Sequence, residues 1–194
     1  MIISISGKPG SGKSSVAEAI AREFGLKRYY IGGLRREMAR QRGLTLEDLN
    51  RLGEREDFTD REVDEYQKKL GETEDNFVIE GRTSFFLIPR SYKIFLDIEV
   101  EEGAKRIWKD LQIHPEKRNE MANPKGLADV IASVKNRMAS DERRYRKYYN
   151  KSDIFNPKNY DYILDTTKIG KEEEIKIVIE HIKKNVVPRE KRSD

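Results

Sequence analysis

"GKPGSGKS", residues 7 to 14, is the stretch on which the fold turns. It fits the pattern G-x-x-x-x-G-K-[ST] at every fixed position. An apolar run, Ile2–Ser6, leads into it, and an amphipathic stretch, "SSVAEAIAREFG", leads out. In that stretch Val16, Ile20 and Phe24 recur every four residues, and Gly25 supplies the stop. Strand, glycine-rich turn and helix in this order are what a phosphate cradle requires. The glycines let backbone N–H groups converge on phosphate oxygens, and the helix N-terminus adds partial positive charge. Lys13 can then neutralise the β- and γ-oxygens, and the Ser14 hydroxyl can ligate Mg²⁺. The stretch predicts a nucleoside triphosphate site. It does not name what receives the phosphate: water, a small alcohol, another nucleotide and mechanical coupling are all open.

Further strand-like runs follow at Tyr29–Ile31, Phe77–Glu80, Tyr92–Asp97 and Tyr162–Asp165, with helical patterns between them. Strands alternating with helices predict an α/β fold: three layers, with a five-stranded parallel sheet flanked by helices. Residues 36–75 read as a helical insert. There "TLEDL" has Thr45 as N-cap with Leu44 placed to staple onto Leu49. "FTDREVDEYQKKLG" repeats the device, with Thr59 as cap, Glu62 completing a capping box and Phe58 against Val63. A second, polar insert spans 110–137 and carries Pro115 and Pro124. The remainder, 1–35, 76–109 and 138–186, forms one core, and 187–194 reads as a frayed tail.

Composition excludes several chemistries. The 194 residues suffice for one sizeable core. Charged residues make up 38% of the chain, yet the net charge is only +4, so this is no polybasic nucleic-acid tail. Cysteine is absent, which removes disulfides, thiolate nucleophiles and thiolate metal sites. The two histidines, His114 and His181, read as non-catalytic. No basic leader precedes "MIISIS" and no run approaches a membrane span, so a soluble, cytoplasmic protein is expected.

"NFVIEGRTS", residues 76 to 84, runs an apolar strand into a carboxylate, a glycine and a guanidinium. In open α/β sheets ligands bind off the carboxyl ends of the strands. Glu80 is therefore placed to order Mg²⁺ or its water shell, and Arg82 to offer a fork to a phosphate or a base edge. Arg137, Asp141 and Arg144 recur at i, i+4 and i+7, so one helix stacks them on a face bordering the apolar stripe Val130, Val134, Met138 and Tyr145. Arg36 and Arg106 add two more cations. Clustered arginines beside a triphosphate cradle suit transfer between two phosphates, where catalysis is positioning plus electrostatics. A phosphate acceptor is already largely ionised at neutral pH, so no general base is needed.

Taken together, the cradle, "GGLRREMA", "DREVDEYQ", "VIEGR", "EEGAKRI", the Arg137/Asp141/Arg144 spacing and "YILDTT" resemble the nucleoside monophosphate kinases, and among them the cytidylate kinases of the compact archaeal type. The resemblance runs from Met1 to about Lys184. It implies a P-loop kinase fold in which 36–75 binds the monophosphate and 110–137 is a lid. It implies ATP binding by Gly7, Lys8, Pro9, Gly10, Ser11, Gly12, Lys13, Ser14 and Ser15, with Mg²⁺ at Ser14 and Glu80. It implies acceptor binding by Arg36, Asp60, Asp64, Gln67, Arg82, Arg106, Asp141 and Arg144, and catalytic roles for Lys13, Arg137 and Arg144. The implied reaction transfers the ATP γ-phosphate to CMP, and to dCMP, in a monomer that takes no nucleic acid and no membrane. "EGRTSFF" lacks the Asp-Gly-x-Pro-Arg pattern of adenylate kinases, which argues against AMP as acceptor. Two rivals stand beside this reading: a P-loop kinase for a small hydroxyl metabolite of the shikimate or gluconate type, and a non-enzymatic, nucleic-acid-linked ATP binder.

Overall fold

Strand β1 (Ile2–Gly7) sits at the centre of a parallel sheet of order β2-β3-β1-β4-β5. Its partners are β3 (Phe77–Glu80) on one side and β4 (Tyr92–Asp97) on the other. The edges are β2 (Lys27–Tyr30) and β5 (Tyr162–Asp165). In this computed structural model residues 1–113, 124–150 and 153–187 are described.

The pleat sorts side chains between the two faces of the sheet. Ile3, Ile5 and Val78 join Val16 and Ile20 of α1 (Lys13–Phe24) and Val178 and Ile182 of α8 (Lys171–Asn185). Ile2, Phe77 and Ile79 face the other way. They meet Met38 of α2 (Ile31–Gln41), Leu49 of α3 (Leu46–Gly53), Val63 and Leu70 of α4 (Phe58–Thr73), and Leu87 of α5 (Ser84–Leu87). Beside this core, α6 (Val100–Ile113) and α7 (Leu127–Tyr149) pack through Ala104, Ile107, Val130 and Val134. The expected three-layer α/β architecture is present. No helix among the described residues is long and apolar enough to cross a membrane.

Several local expectations shift. The second strand is Lys27–Tyr30, and Ile31 already opens α2, so the helix begins five residues before the expected insert boundary at Arg36. Thr45 caps α3 with a reciprocal Thr45–Asp48 capping box, and Leu44 packs on the cluster containing Leu49. Thr59 does not cap α4. That helix starts at Phe58 with Asp57 as its cap residue, leaving Thr59 inside the first turn and fully buried. Phe58 lies under the Arg42 guanidinium. Helix α7 runs unbroken across the expected boundary at 137/138. His114 and most of the expected lid's irregular part lie outside the described residues, as does the tail from 188 onward, whereas Val187 packs on the core. His181 is structural: Tyr92 Oη and His181 Nε2 lie 2.8 Å apart, and its ring stacks on Tyr162.

Helix α6 approaches the cradle with its glycine foremost. A Cβ on Gly103 would overlap the Pro9 carbonyl, and one on Gly10 would overlap Gly103. Alanine at Gly103 gains up to about 1 kcal/mol of helix propensity, but forcing atoms into a packed contact costs about 1–3 kcal/mol. Gly103→Ala is therefore expected to lower the urea midpoint; an unchanged or raised midpoint would show that the loop yields freely.

Candidate active site

The loop from Gly7 to Gly12 leaves β1 and turns into α1 through Gly12, whose φ of 86° only glycine adopts readily. Lys8 anchors it to the end of β4 by a 2.6 Å ion pair with Asp97. Lys13 folds back over the loop, its Nζ donating to the carbonyls of Gly7 at 2.9 Å and Lys8 at 2.6 Å. Burial pulls the Lys13 pKa well below that of a free lysine, and the charges of Arg82 and Arg137 add to the effect. Three cations from β1–α1, the end of β3 and α7 thus converge on one place.

Ser14 Oγ donates to Glu80 Oε2 at 2.6 Å, so the two residues expected to hold Mg²⁺ are brought together. Among the described residues no group of three or more His, Cys, Asp or Glu forms a metal cluster. The donor set nonetheless fits Mg²⁺, which takes one or two protein ligands and fills its octahedron with phosphate oxygens and water. A serine hydroxyl has one hydrogen and two lone pairs, so Ser14 can donate to Glu80 while its lone pairs face the ion. Arg28, which the sequence reading missed, fixes the other oxygen: its Nε and Nη2 donate to Glu80 Oε1 at 2.9 and 2.6 Å.

The other wall of the cleft is an ion chain. Arg82 pairs with Asp141. Arg144, 1% exposed, donates to Asp141 and, at 2.6 Å, to Asp60 Oδ2. Arg35, also missed from sequence, closes the chain with hydrogen bonds to Asp60 Oδ1, the Thr59 carbonyl and Asn50 Oδ1 at 2.8 to 3.0 Å. Arg36 donates to the Tyr30 hydroxyl and lies over that ring.

Asp64 faces the cleft, with burial pushing its pKa up to about 6 against hydrogen bonds from Tyr149 and Thr83. Gln67 stands behind it rather than in the cleft. Its amide donates to Asp64 and Thr83 at 2.9 Å each and accepts from Ser84 at 2.6 Å. Arg106 lies apart from these residues, donating to the carbonyls of Thr166 and Ile169 in the loop after β5.

One cleft of about 790 Å³ joins the two walls. It is bordered by the cradle, Glu80 and Arg82 from β3, Arg35 and Arg36 from α2, Asp60 and Asp64 from α4, and Arg137 and Asp141 from α7. Comparison with known proteins matches this architecture to a family. Residues 2–168 match the model of the cytidylate kinase-like family. The chain belongs to that family. A cytidylate kinase of Archaeoglobus fulgidus is 33% identical, with 94% of each chain covered. One of Pyrococcus abyssi is 31% identical over 96% of this chain and 97% of its own. Membership makes the protein an ATP-dependent nucleoside monophosphate kinase. Solved structures extend the likeness in fold alone: shikimate kinase from Bacteroides thetaiotaomicron has a TM-score of 0.63 at 14% identity, covering 95% of this chain and 97% of its own.

Breaking a buried ion pair costs about 3–5 kcal/mol because it strands the partner charge. Asp141→Ala removes the carboxylate that Arg82 and Arg144 share, leaving Arg144 with Asp60, and is expected to lower urea stability by about that amount. Arg143→Ala, which removes an exposed pair with Glu54, is expected to cost about 0–1 kcal/mol. Equal losses would mean that the ion chain carries no special share of the stability.

Proposed function

We propose that this kinase transfers the γ-phosphate of ATP to CMP, and to dCMP, with Mg²⁺, as a cytoplasmic monomer. The observation that carries the reading is the convergence of Lys13, Arg82 and Arg137 where the cradle meets the acceptor wall. Three cations gathered at one place are matched to two phosphates that repel each other. The likeness to cytidylate kinases supports cytosine as the base.

In the proposed reaction an oxygen of the CMP phosphate attacks the γ-phosphorus of ATP. The bond from that phosphorus to the β–γ bridging oxygen breaks, and ADP and CDP leave. The transition state spreads negative charge over the transferring group. Lys13 holds the donor phosphates, Arg82 and Arg36 take the acceptor phosphate, and Arg137 lies between the two. Mg²⁺, held by Ser14 with Glu80 behind it, would neutralise the β- and γ-oxygens. Arg144 is buried with its fork on Asp60 and Asp141, so it serves as a positioning residue that sets α4 and α7. Residues 36–75 clasp the monophosphate and 110–137 close over it, excluding water that would hydrolyse ATP.

A hydroxyl acceptor is the weaker reading. It calls for a carboxylate at hand to take a proton, but Asp60 is held by Arg35 and Arg144, and Glu80 by Ser14 and Arg28.

ADP release from Mg-ATP should be measured with CMP, dCMP, UMP, AMP and GMP in turn. Rapid turnover is expected with the cytosine monophosphates alone, and silence with all five would overturn the proposal. Arg82→Ala should cut turnover with CMP by orders of magnitude while ATP affinity stays near wild type. Glu80→Gln should raise the Mg²⁺ concentration needed for half-maximal rate; an unchanged requirement would remove Glu80 from the metal site.

A further inference from the structure

Glu174, in the first turn of α8, is a buried carboxyl group that the transfer reaction leaves unused. It is 1% exposed, and it borders the cleft. Its Oε1 has no hydrogen-bond partner among the described residues. The carboxyl lies so close over the phosphate loop that a Cβ on Gly12 would overlap it. Its nearest cation, Arg106 Nη1, is 3.9 Å from Oε2, and that guanidinium is shared with Glu102 at 3.5 Å. Lys13 of α1 and Lys171 of α8 itself also face it, without hydrogen-bonding it.

The electrostatics are adverse to a charged form. The N-terminal turn of α8 favours a carboxylate, but a charge buried without hydrogen bonds is costly. A nucleotide in the cradle would bring several negative charges beside it. We propose that nucleotide binding in the cradle takes up a proton at Glu174, which makes the wall behind Gly12 neutral and leaves the Arg106 charge to the nucleotide. This rests on the cradle being the donor-nucleotide site. Burial already pushes the Glu174 pKa up to about 7, against the opposing pull of Arg106, Lys13 and Lys171. The free protein therefore holds both forms near neutrality, and the protonated form is the one that binds. Affinity should fall as pH rises above about 7, approaching tenfold per pH unit.

The test is calorimetric titration of the full chain with ADP, free of Mg²⁺, at pH 6, 7 and 8 in buffers of different ionisation enthalpy. Glu174→Gln keeps the shape and fixes the neutral state, and ADP's own titration is common to both proteins. At pH 7 the wild type should take up about half a proton more than the variant. The variant's affinity should vary less with pH and match that of the wild type at pH 6. Infrared difference spectra of the wild type at pH 8 should show a protonated-carboxyl C=O band appearing with ADP, a readout that does not depend on the variant folding. Equal proton uptake by the two proteins, or no such band, would overturn the proposal. Failure of ADP to bind the wild type at all would overturn the donor-site reading instead.

Discussion

The cleft wall built from α4, α7 and the end of β3 depends on the pairing of Arg144 with Asp60 and Asp141. Arg144 and Asp141 are each 1% exposed, and Asp60 is 2% exposed. Charges so placed are tolerable only when each meets an opposite one with good geometry. Because Asp60 belongs to α4, Asp141 to α7 and Arg82 to the end of β3, satisfying these charges fixes three elements against one another. Arg35 extends the same constraint to α2 and, through Asn50, to α3. The cleft keeps its shape because moving any wall would strand a buried charge.

The opposite wall, formed by the glycine-rich loop, is governed by close approach rather than by charge. Gly10 and Gly103 bring the loop and α6 together at backbone distance, and Gly12 gives up the space that Glu174 fills. The glycine of "EEGAKRI" thus serves contact between α6 and the loop. The glycines of "GKPGSGKS" serve contact with α6 and α8 as well as access for phosphate. Loop conformation and packing make the same demand on these positions, which is the consistency expected of a sequence that specifies one structure.

That consistency explains what could be read from the chain. The cradle was legible because its turn, its strand and its helix are contiguous in sequence. The sheet was legible because its strands end in abrupt polarity changes, as at Ile79-Glu80. Arg28, Arg35 and Glu174 were not legible, since their roles come from partners far along the chain. Arg28 meets Glu80 across 52 residues, as Arg144 meets Asp60 across 84. Thr59 shows the converse failure. "TDRE" satisfies a local capping rule, yet Asp60 is drawn into the ion chain, and the helix begins two residues earlier with Thr59 buried against Gly53. Gln67 has a side chain suited to a base edge, but Asp64, Thr83 and Ser84 already occupy its amide.

The same ion chain bears on how an acceptor phosphate would enter on the proposed reading. Arg82 does not wait as a bare guanidinium; it holds Asp141. A phosphate that engages Arg82 exchanges one anion for another, so its net gain is the difference between two charge-assisted interactions, not the full strength of one. Asp141 loses little by the exchange, because Arg144 keeps its other oxygen. The arrangement therefore lets an anion in without leaving a buried carboxylate wholly unpaired. A single arginine–aspartate pair would lack that property, and this is the physical reason to have Arg144 buried behind Asp141 rather than facing the cleft.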